Sequence, residues 1–429
     1  METREAFERL RVRLAGEHPP KPPIVPTGPS EMTQMARRRA EALSSVLPME
    51  IVERPEGCFA IREEFYDAEE LMSGWGLGTA SFGGLEMWSG IRDDAPSNYV
   101  FLDLETTGLD RGAGTYAFMA GLGRFADEGF TVRQFFLADP SGERAMLMAV
   151  RDEIRSSAVV VSFNGRSFDV PHLYNRFAMN RIRPPNFEPH FDALPPARRI
   201  WRRRLSSCSL QSLEQALFEI DREGDIPGWL IPEVYFEYLH REEFRRLPSV
   251  FLHNAKDIVS LAALTTIMAQ IGRGWNHAGV SAPEDALSVG LAYARSGRIE
   301  DALCCYRYAS EVGHREVRCQ ALSLVAQILR RQERVEEAKV VLRQLAKEPG
   351  YYALDALISL AKIAEHRERD YNGALNYAHA ATTKLDVTHL RNNEGFHSRT
   401  SAEIQWRIAR LHRKKARKVS IAVSSRGTA

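Results

Sequence analysis

Cysteine is scarce in this 429-residue sequence, and long hydrophobic runs are absent. The five cysteines show no CxxC spacing, which argues against a disulfide framework and against a cysteine-based zinc site. No stretch approaches the 18 apolar residues that a membrane-spanning helix needs. The first ten residues are charged and lack the apolar segment of a secretory signal. We therefore expect the protein to work in the reducing cytoplasm.

An excess of charge of either sign is also absent. The chain has 57 basic and 56 acidic residues, a net charge of +1, so its overall charge neither supports nor excludes a nucleic-acid partner. Hydrophobic residues make up 44% of the chain and charged residues 26%, as in globular proteins. Because a chain of this length is too long for one hydrophobic core, two or three domains are expected.

The first 97 residues are expected to lie outside the main domain. Residues 1–47 combine charged helical patterns with a proline-rich segment from Pro19 to Pro29, which predicts a mobile end with an extended linker. Residues 48–97 contain short strand-like pieces, such as Cys58–Ile61, and are interpreted as an N-terminal extension.

Residues 98–271 carry the pattern of an α/β domain. Three apolar strand patterns between residues 99 and 137 are followed by a helix, by the buried strand Ala158–Phe163 and by further helices, the last over Val250–Ile271. Meandering strands followed by helices and a further strand predict a mixed sheet flanked by helices.

Residues 284–415 are helical throughout and repeat. The alanines Ala302, Ala338 and Ala374 occupy equivalent positions, and both intervals between them are 36 residues. Tetratricopeptide helix pairs repeat at about 34 residues, so we predict an all-α, tetratricopeptide-like repeat domain. Residues 416–429 are interpreted as a basic, disordered tail.

Two acidic residues on the first strand of the α/β domain are candidates for metal binding. Asp103 and Glu105 lie two residues apart, so both carboxylates leave the same face of the strand. Like charges about 4 Å apart repel by about 4 kcal/mol at an effective dielectric constant near 20, a repulsion that a divalent cation removes. The pair alone fits a solvated edge strand better.

Two further acids change that interpretation. Asp169 stands between a buried strand and the start of a helix. His253 and Asp257 are four residues apart and share the otherwise apolar face of the last helix. Buried charged groups must be paired or bind metal, so the set favours a metal site.

These residues lie within recognisable motifs. The segments Phe101–Gly108, Phe163–Pro171 and His253–Asp257 resemble the three motifs of the DEDD superfamily of ribonuclease H-like 3′–5′ exonucleases. Within it, the sequence is most similar to the YprB-like ribonuclease H-like family, and Arg133–Pro140 and Asp225–Gly228 add to the likeness. The resemblance implies a ribonuclease H-like fold over residues 98–270.

The resemblance also implies a mechanism, the hydrolysis of phosphodiester bonds in DNA or RNA with two Mg²⁺ or Mn²⁺ ions about 3.5–4 Å apart. Asp103 would bridge the ions, and Glu105, Asp169 and Asp257 would complete the ligand set. His253 would orient or deprotonate the attacking water. The third motif departs from the family, since better-known members have Tyr-x3-Asp or His-x4-Asp where this chain has His-x3-Asp.

The basic segment Ala197–Arg204 is the candidate for contact with nucleic acid. Guanidinium groups pair with phosphates and tryptophan stacks on bases, so the segment could bind along a nucleic-acid backbone. A solvated helix face with one buried tryptophan fits the pattern equally well. The candidate residues, with one from each of the first two motifs, are Thr106, Asn164, Arg198, Arg199, Trp201, Arg202 and Arg203. Asp192 fits a strand-end or helix-capping role better than a metal ligand.

Two alternatives to a 3′–5′ exonuclease stay open. One is a catalytically silent ribonuclease H-like scaffold whose repeats recruit a protein partner, although a silent site would be expected to lose an acid. The other is a structure-selective endonuclease.

The basic segment Arg410–Lys418 fits either a solvated face or nonspecific attraction to nucleic acid.

Overall fold

The computed structural model describes residues 29–75, 81–108, 114–126, 129–275, 280, 282–387 and 394–424. These residues form two compact units. The first unit ends at Gly274, and the second comprises the chain from Trp275 together with the short segment Arg199–Arg204.

A seven-stranded mixed sheet forms the centre of the first unit. Its strands are β1 Glu50–Arg54, β2 Gly57–Asp67, β3 Tyr99–Thr106, β4 Ala117–Ala126, β5 Gly129–Phe136, β6 Val159–Ser162 and β7 His190–Asp192. They are ordered β1-β2-β5-β4-β3-β6-β7. β6 pairs in parallel with β3 and β7, and the other pairs are antiparallel. The mixed sheet expected from the sequence is confirmed.

Helices lie before, between and after these strands along the chain. They are α1 Pro29–Ser44, α2 Ala68–Trp75, α3 Glu86–Ser89, α4 Glu143–Arg155, α5 Asp169–Met179, α6 Leu194–Trp201, α7 Leu210–Phe218, α8 Ile231–Arg241 and α9 Leu247–Arg273. Four 3₁₀ turns join them, at Gly83–Leu85, Pro96–Asn98, Pro140–Gly142 and Gly228–Leu230. The long helix α9 contacts β3, β4 and β5, which places its side chains over the middle of the sheet.

Where the structure describes them, the first 97 residues belong to the first unit and contain the expected helix and strand patterns, the strand-like piece Cys58–Ile61 lying in β2. Helix α1 is one of the helical patterns expected within residues 1–47, and it packs against the first unit, because Ala40 and Leu43 are buried in the core. The guanidinium of Arg39 pairs with Asp139 and donates a 2.9 Å hydrogen bond to the carbonyl of Leu239. Strands β1 and β2 are not an extension but two strands of the same sheet, since β2 pairs with β5. Residues 1–28 lie outside the described part.

The second unit consists of paired helices, as expected. They are α10 Pro283–Arg295, α11 Ile299–Val312, α12 Arg315–Arg331, α13 Val335–Leu345, α14 Tyr351–Ile363, α15 Tyr371–Val387 and α16 Glu394–Ser424, and a π-helical turn, Ala364–Glu368, continues α14. Each helix packs against the next. The three evenly spaced alanines, Ala302, Ala338 and Ala374, are fully buried, which explains why small residues recur there.

The end of the chain differs from expectation. Helix α16 continues to Ser424, so residues 416–424 are helical, and residues 425–429 lie outside the described part. No helix in the described ranges combines the length and the apolar character needed to cross a membrane.

Candidate metal and catalytic site

The first two candidate acids lie on β3, inside the sheet between β4 and β6. Asp103 and Glu105 share one face of the strand, and both are withdrawn from solvent, Glu105 almost completely. The edge-strand alternative is therefore wrong, because β3 has a hydrogen-bonded neighbour on each side. Two carboxylates inside a sheet require compensation by another group.

Asp169 is positioned by the loop that joins β6 to α5. A Cβ on Gly165 would lie 2.2 Å from the Ser162 hydroxyl and 3.1 Å from Asp169 Oδ2, so only glycine allows this approach. Asp192 holds the loop by accepting hydrogen bonds from the backbone N–H groups of Asn164, at 2.8 Å, and Arg166, at 3.1 Å. Asp192 is thus a loop-fixing acid, as its strand-end position indicated.

Helix α9 completes the set from the other side. Asn254 is fully buried and donates a 2.9 Å hydrogen bond from Nδ2 to Asp103 Oδ2. Its own Oδ1 accepts from Gln134 Nε2 at 3.0 Å. Gly121 lies opposite Asp103 on β4, and a side chain there would collide with Asn254. Asn254 is therefore fixed in the orientation that holds Asp103.

Asp169 and Asp257 lie close enough to Asp103 and Glu105 to raise the pKa of both. Burial raises the pKa of Asp103 well above its ordinary value, and Asp257, Glu105 and Asp169 raise it further, in that order. Burial likewise raises the pKa of Glu105, with Asp257 and Asp169 adding to it. Burial raises the pKa of Asp169 to about 7. The negative charge of these acids therefore exceeds the positive charge that faces them.

One guanidinium partly supplies that charge. Arg222 pairs with Asp257 and, through two bonds of 2.5 and 2.6 Å, with the fully buried Glu214. It also lies 3.3 Å from Asp225 Oδ2. Burial lowers the pKa of Arg222, but Asp257 and Glu214 raise it above the ordinary value, so the group is charged.

His253 is anchored by a second acid. Its Nδ1 lies 3.1 Å from Asp225 Oδ2, so the ring donates from Nδ1 to that carboxylate. Its Nε2 lies 3.7 Å from Asp257 Oδ2. An acid behind the imidazole fixes its orientation and tautomer, which is the arrangement that a general base requires.

Carboxylate oxygens are the donors that Mg²⁺ and Mn²⁺ prefer, so the chemistry of the four acids fits such ions. In the described part of the chain, however, no three His, Cys, Asp or Glu side chains stand in an arrangement that could hold a metal ion. The contacts explain this, since Asp257 faces Arg222 and Asp103 faces Asn254. Holding an ion would require these carboxylates to turn away from, or share, their N–H donors.

The basic segment does not form the stacking surface expected of it. Trp201 is 0% exposed, so the expectation that it stacks on a base is wrong. It packs inward because it shares one face of α6 with the buried Ala197 and Ile200. The four candidate arginines, Arg198, Arg199, Arg202 and Arg203, are exposed. Arg203 donates to Gln320 at 3.2 Å.

The two motif residues proposed for nucleic-acid contact differ in exposure. Thr106 is buried, and its hydroxyl donates to the Gly108 carbonyl at 2.8 Å, so the hydroxyl is already engaged. Asn164 is exposed and has a left-handed backbone with a φ of 65°. Of the two, Asn164 has a side chain accessible to a ligand.

Sequence reasoning missed Arg222, Glu214 and Asn254. Asn254 lies inside the third motif, beside His253, and an amide on a core-facing helix was a signal that could have found it. Asp225 was noticed only as part of the family likeness, although it pairs with His253. Arg222 lies in a stretch without regular secondary structure, and no local spacing links it to Asp257.

Comparison with known proteins agrees with the fold. The chain is 29% identical over 355 residues to the uncharacterized protein YprB of Bacillus subtilis (strain 168), an alignment that covers 82% of each chain. Residues 100–269 match the sequence profile of the RNase_H superfamily. This match runs from β3 to α9 and spans all four acids. The segment from β3 to α9 is thus a ribonuclease H superfamily domain.

Proposed function

We propose that the protein is a metal-dependent nuclease of the YprB-like kind, a 3′–5′ exonuclease that hydrolyses phosphodiester bonds of DNA or RNA. The observation that supports the proposal is that Asp103 and Glu105 share one face of β3 and that burial and the charges of Asp257 and Asp169 raise the pKa of both. Burial also raises the pKa of Asp169. A cluster with this excess of negative charge suits divalent cations.

Each residue has a role in this proposal. The four acids would hold two Mg²⁺ or Mn²⁺ ions, which when bound lower the pKa of a water molecule and neutralise phosphate charge. Asn254 keeps Asp103 facing the cluster through its 2.9 Å hydrogen bond. His253, held by Asp225, would orient the attacking water or accept its proton.

Arg222 introduces a competition for Asp257. A metal ion and the guanidinium of Arg222 would be alternative partners for the same carboxylate oxygens of Asp257. The Glu214 and Asp225 contacts keep Arg222 nearby when Asp257 is released. Arg222 would then stabilise the metal-free site and remain as a positive charge beside a bound phosphate.

The ion pair also favours a second candidate, a catalytically silent scaffold. Arg222 could substitute permanently for a cation, which would leave a stable ribonuclease H-like fold without chemistry. The buried free thiols of Cys58, Cys305 and Cys319 fit a reducing, cytoplasmic setting for either candidate.

The test is cleavage of 5′-labelled single- and double-stranded DNA and RNA by the purified chain, with Mn²⁺ or with EDTA. Asp103→Asn should slow Mn²⁺-dependent cleavage by roughly three decades, because losing about 4 kcal/mol of transition-state stabilisation has that effect at about 1.4 kcal/mol per tenfold. The matched control is Asp152→Asn, an exposed acid on α4. Products shortened one nucleotide at a time support an exonuclease.

Absence of cleavage on all four substrates and on branched and gapped DNA, or equal rates for Asp103→Asn and wild type, would favour the scaffold instead. Internal cuts at a branched or gapped substrate, with no shortening from the 3′ end, would favour an endonuclease.

A further inference from the structure

The second unit contains a strongly basic groove. It has a volume of about 560 Å³ and is lined by residues of α12, α13, α14, the π-helical turn and α16. Six of its lining residues carry a permanent positive charge, namely Arg330, Arg331, Lys362, Arg367, Arg407 and Arg410. His366 also lines it, and no acid does. We call this feature the basic groove.

Three of the six groove cations have a carboxylate partner, since Arg367 pairs with Glu333 at 3.0 Å and Arg407 and Arg410 both pair with Glu365. The positive charge of the other three is uncompensated. Arg330, Arg331 and Lys362 form no ion pair with a carboxylate among the described residues. Within the part of the chain that the structure describes, the Arg330 side chain donates one hydrogen bond, to the Ser359 hydroxyl at 3.1 Å. Since like charges repel at close range, a surface of this kind is stable only when solvent or an anionic ligand screens it.

A buried acid holds the floor of the groove in place. The side chain of Glu365, in the π-helical turn, is 0% exposed and accepts bonds from Arg407 at 3.2 Å, Arg410 at 2.5 Å and Lys414 at 2.9 Å. One carboxylate thus orders three cations and neutralises one of them. The Nε atoms of Arg407 and Arg410 are buried and have no hydrogen-bond partner within the described ranges.

An aromatic ring adjoins these cations. Trp406 is 56% exposed, and the guanidinium of Arg410 lies 4.7 Å from its ring centroid. Beyond Arg410, the same face of α16 continues with the exposed cations Arg413 and Arg417, which are spaced by three and four residues. An exposed ring beside a line of basic side chains is the combination by which proteins bind single-stranded nucleic acids.

We propose that the basic groove binds the phosphate backbone of a single-stranded nucleic acid, while Trp406 stacks on a base. Guanidinium groups match phosphate oxygens in geometry and charge, and a base has the flat face that Trp406 can cover. An acidic protein segment would match the charge but would leave Trp406 exposed. The nuclease proposed for the first unit is not needed for this binding.

The test measures fluorescence anisotropy of 5′-fluorescein-labelled 12-nucleotide oligothymidylate DNA and oligouridylate RNA. EDTA is present throughout, so cleavage cannot contribute. The double substitution Arg331→Gln and Lys362→Gln should weaken binding at least tenfold. It should also reduce the slope of log affinity against log salt by about 1.4, because each lost phosphate contact removes about 0.7 on a single strand. The DNA and RNA arms show which sugar is preferred.

Matched controls separate this groove from general charge effects. Arg315→Gln with Lys347→Gln removes the same charges from exposed positions of the second unit outside the groove, and should bind like wild type. Trp406→Ala should weaken binding about tenfold with an unchanged salt slope, since stacking releases no counterions. Tyr351→Ala, at an exposed ring of α14, should have no effect.

Three results would overturn the proposal. The first is an oligonucleotide affinity that is equal in the groove variant and its control, or absent in wild type. The second is tighter binding of a 12-residue polyglutamate peptide that the groove variant alone loses, which would identify an acidic protein partner. The third, Trp406→Ala binding like wild type, would remove the stacking contact.

Discussion

The guanidinium of Arg222 forms an ion pair with Asp257 and, at the same time, a two-point ion pair with the buried Glu214. Arg222 therefore links the metal-site candidates of α9 to an acid of α7. Its charge lies where the four-acid cluster needs one, and a divalent cation would compete with it for Asp257.

This relationship predicts that removing Arg222 increases the response to metal. In the double variant Arg222→Gln with Glu214→Gln, no charge remains at position 214, Asp225 keeps its hydrogen bond to His253, and Asp257 has lost its competing cation. Mn²⁺ should raise the melting temperature of this variant by more than it raises that of wild type. Arg222→Gln alone should lose about 3 kcal/mol of stability in EDTA, because Glu214 is then buried without a partner.

The matched control is another buried pair of the same unit, Arg176 with Glu143, whose two bonds measure 2.5 and 2.6 Å. Its double glutamine variant should respond to Mn²⁺ as wild type does. Equal Mn²⁺ responses of the Arg222 variant and wild type would show that Arg222 does not compete with metal. Thermal unfolding over a Mn²⁺ series provides the measurement.

A second prediction concerns repulsion among the acids. Asp103→Asn removes one of four crowded carboxylates and keeps an oxygen that can accept from Asn254. Without metal, the variant should be more stable than wild type by about 1 kcal/mol, since one source of like-charge repulsion has gone. With Mn²⁺ the order should reverse, because the ligand set is incomplete.

Chemical unfolding in EDTA and in Mn²⁺ measures both differences. Asp152→Asn again serves as the control, because this exposed acid lies on α4. A variant that Mn²⁺ stabilises as much as wild type would remove Asp103 from the metal site.

A third prediction concerns the histidine and its acid. His253→Ala should slow cleavage by about 10², as expected for loss of a general base or of water orientation. Asp225→Asn should slow it for the same reason, because the carboxylate fixes the ring through a 3.1 Å hydrogen bond. The double variant should be hardly slower than His253→Ala alone.

Single-turnover rates for wild type, the two single variants and the double variant complete this double-mutant cycle. His240→Ala, which changes an exposed histidine of α8, is the control. Rate losses that multiply in the double variant would show that Asp225 acts independently of His253.

The sequence predicted those parts of the site that depend on local spacing. Residues two apart on a strand, or four apart on a helix, share one face. Asp103 and Glu105 were therefore assigned correctly to a strand, and His253 and Asp257 to a helix. The 36-residue period of buried alanines predicted the paired helices for the same reason.

What the sequence left open depends on contacts between distant segments. Arg222 reaches Asp257 across 35 positions from a stretch without regular structure, and β2 joins the sheet through β5, far along the chain. The burial of Trp201, in contrast, could have been predicted from local spacing. Ala197, Ile200 and Trp201 have the i, i+3, i+4 spacing of a buried helix face. That signal was present but was outweighed by the neighbouring arginines.

The last prediction concerns His190, which is buried in β7 with Nε2 at 2.8 Å from the Ser162 hydroxyl. Burial and, to a smaller extent, the charge of Arg166 lower the pKa of His190 to about 4, against the opposing effects of Asp192 and Glu188. The unfolded chain, with an ordinary histidine pKa near 6.5, therefore binds this proton more tightly than the folded one. The stability due to neutral His190 is complete above about pH 6.5 and is lost as the pH falls toward 4.

His190→Gln keeps a side chain that can hydrogen-bond to Ser162 but cannot gain a proton. Between pH 7 and 5, its unfolding free energy should fall by about 2 kcal/mol less than that of wild type, at about 1.4 kcal/mol per pH unit below the unfolded pKa. The acids of the cluster titrate in both proteins, so the difference between the curves isolates His190. His240→Gln, at an exposed position, should follow wild type. Urea unfolding at pH 5, 6 and 7 measures the curves, and parallel curves for His190→Gln and wild type would show that His190 does not contribute to acid sensitivity.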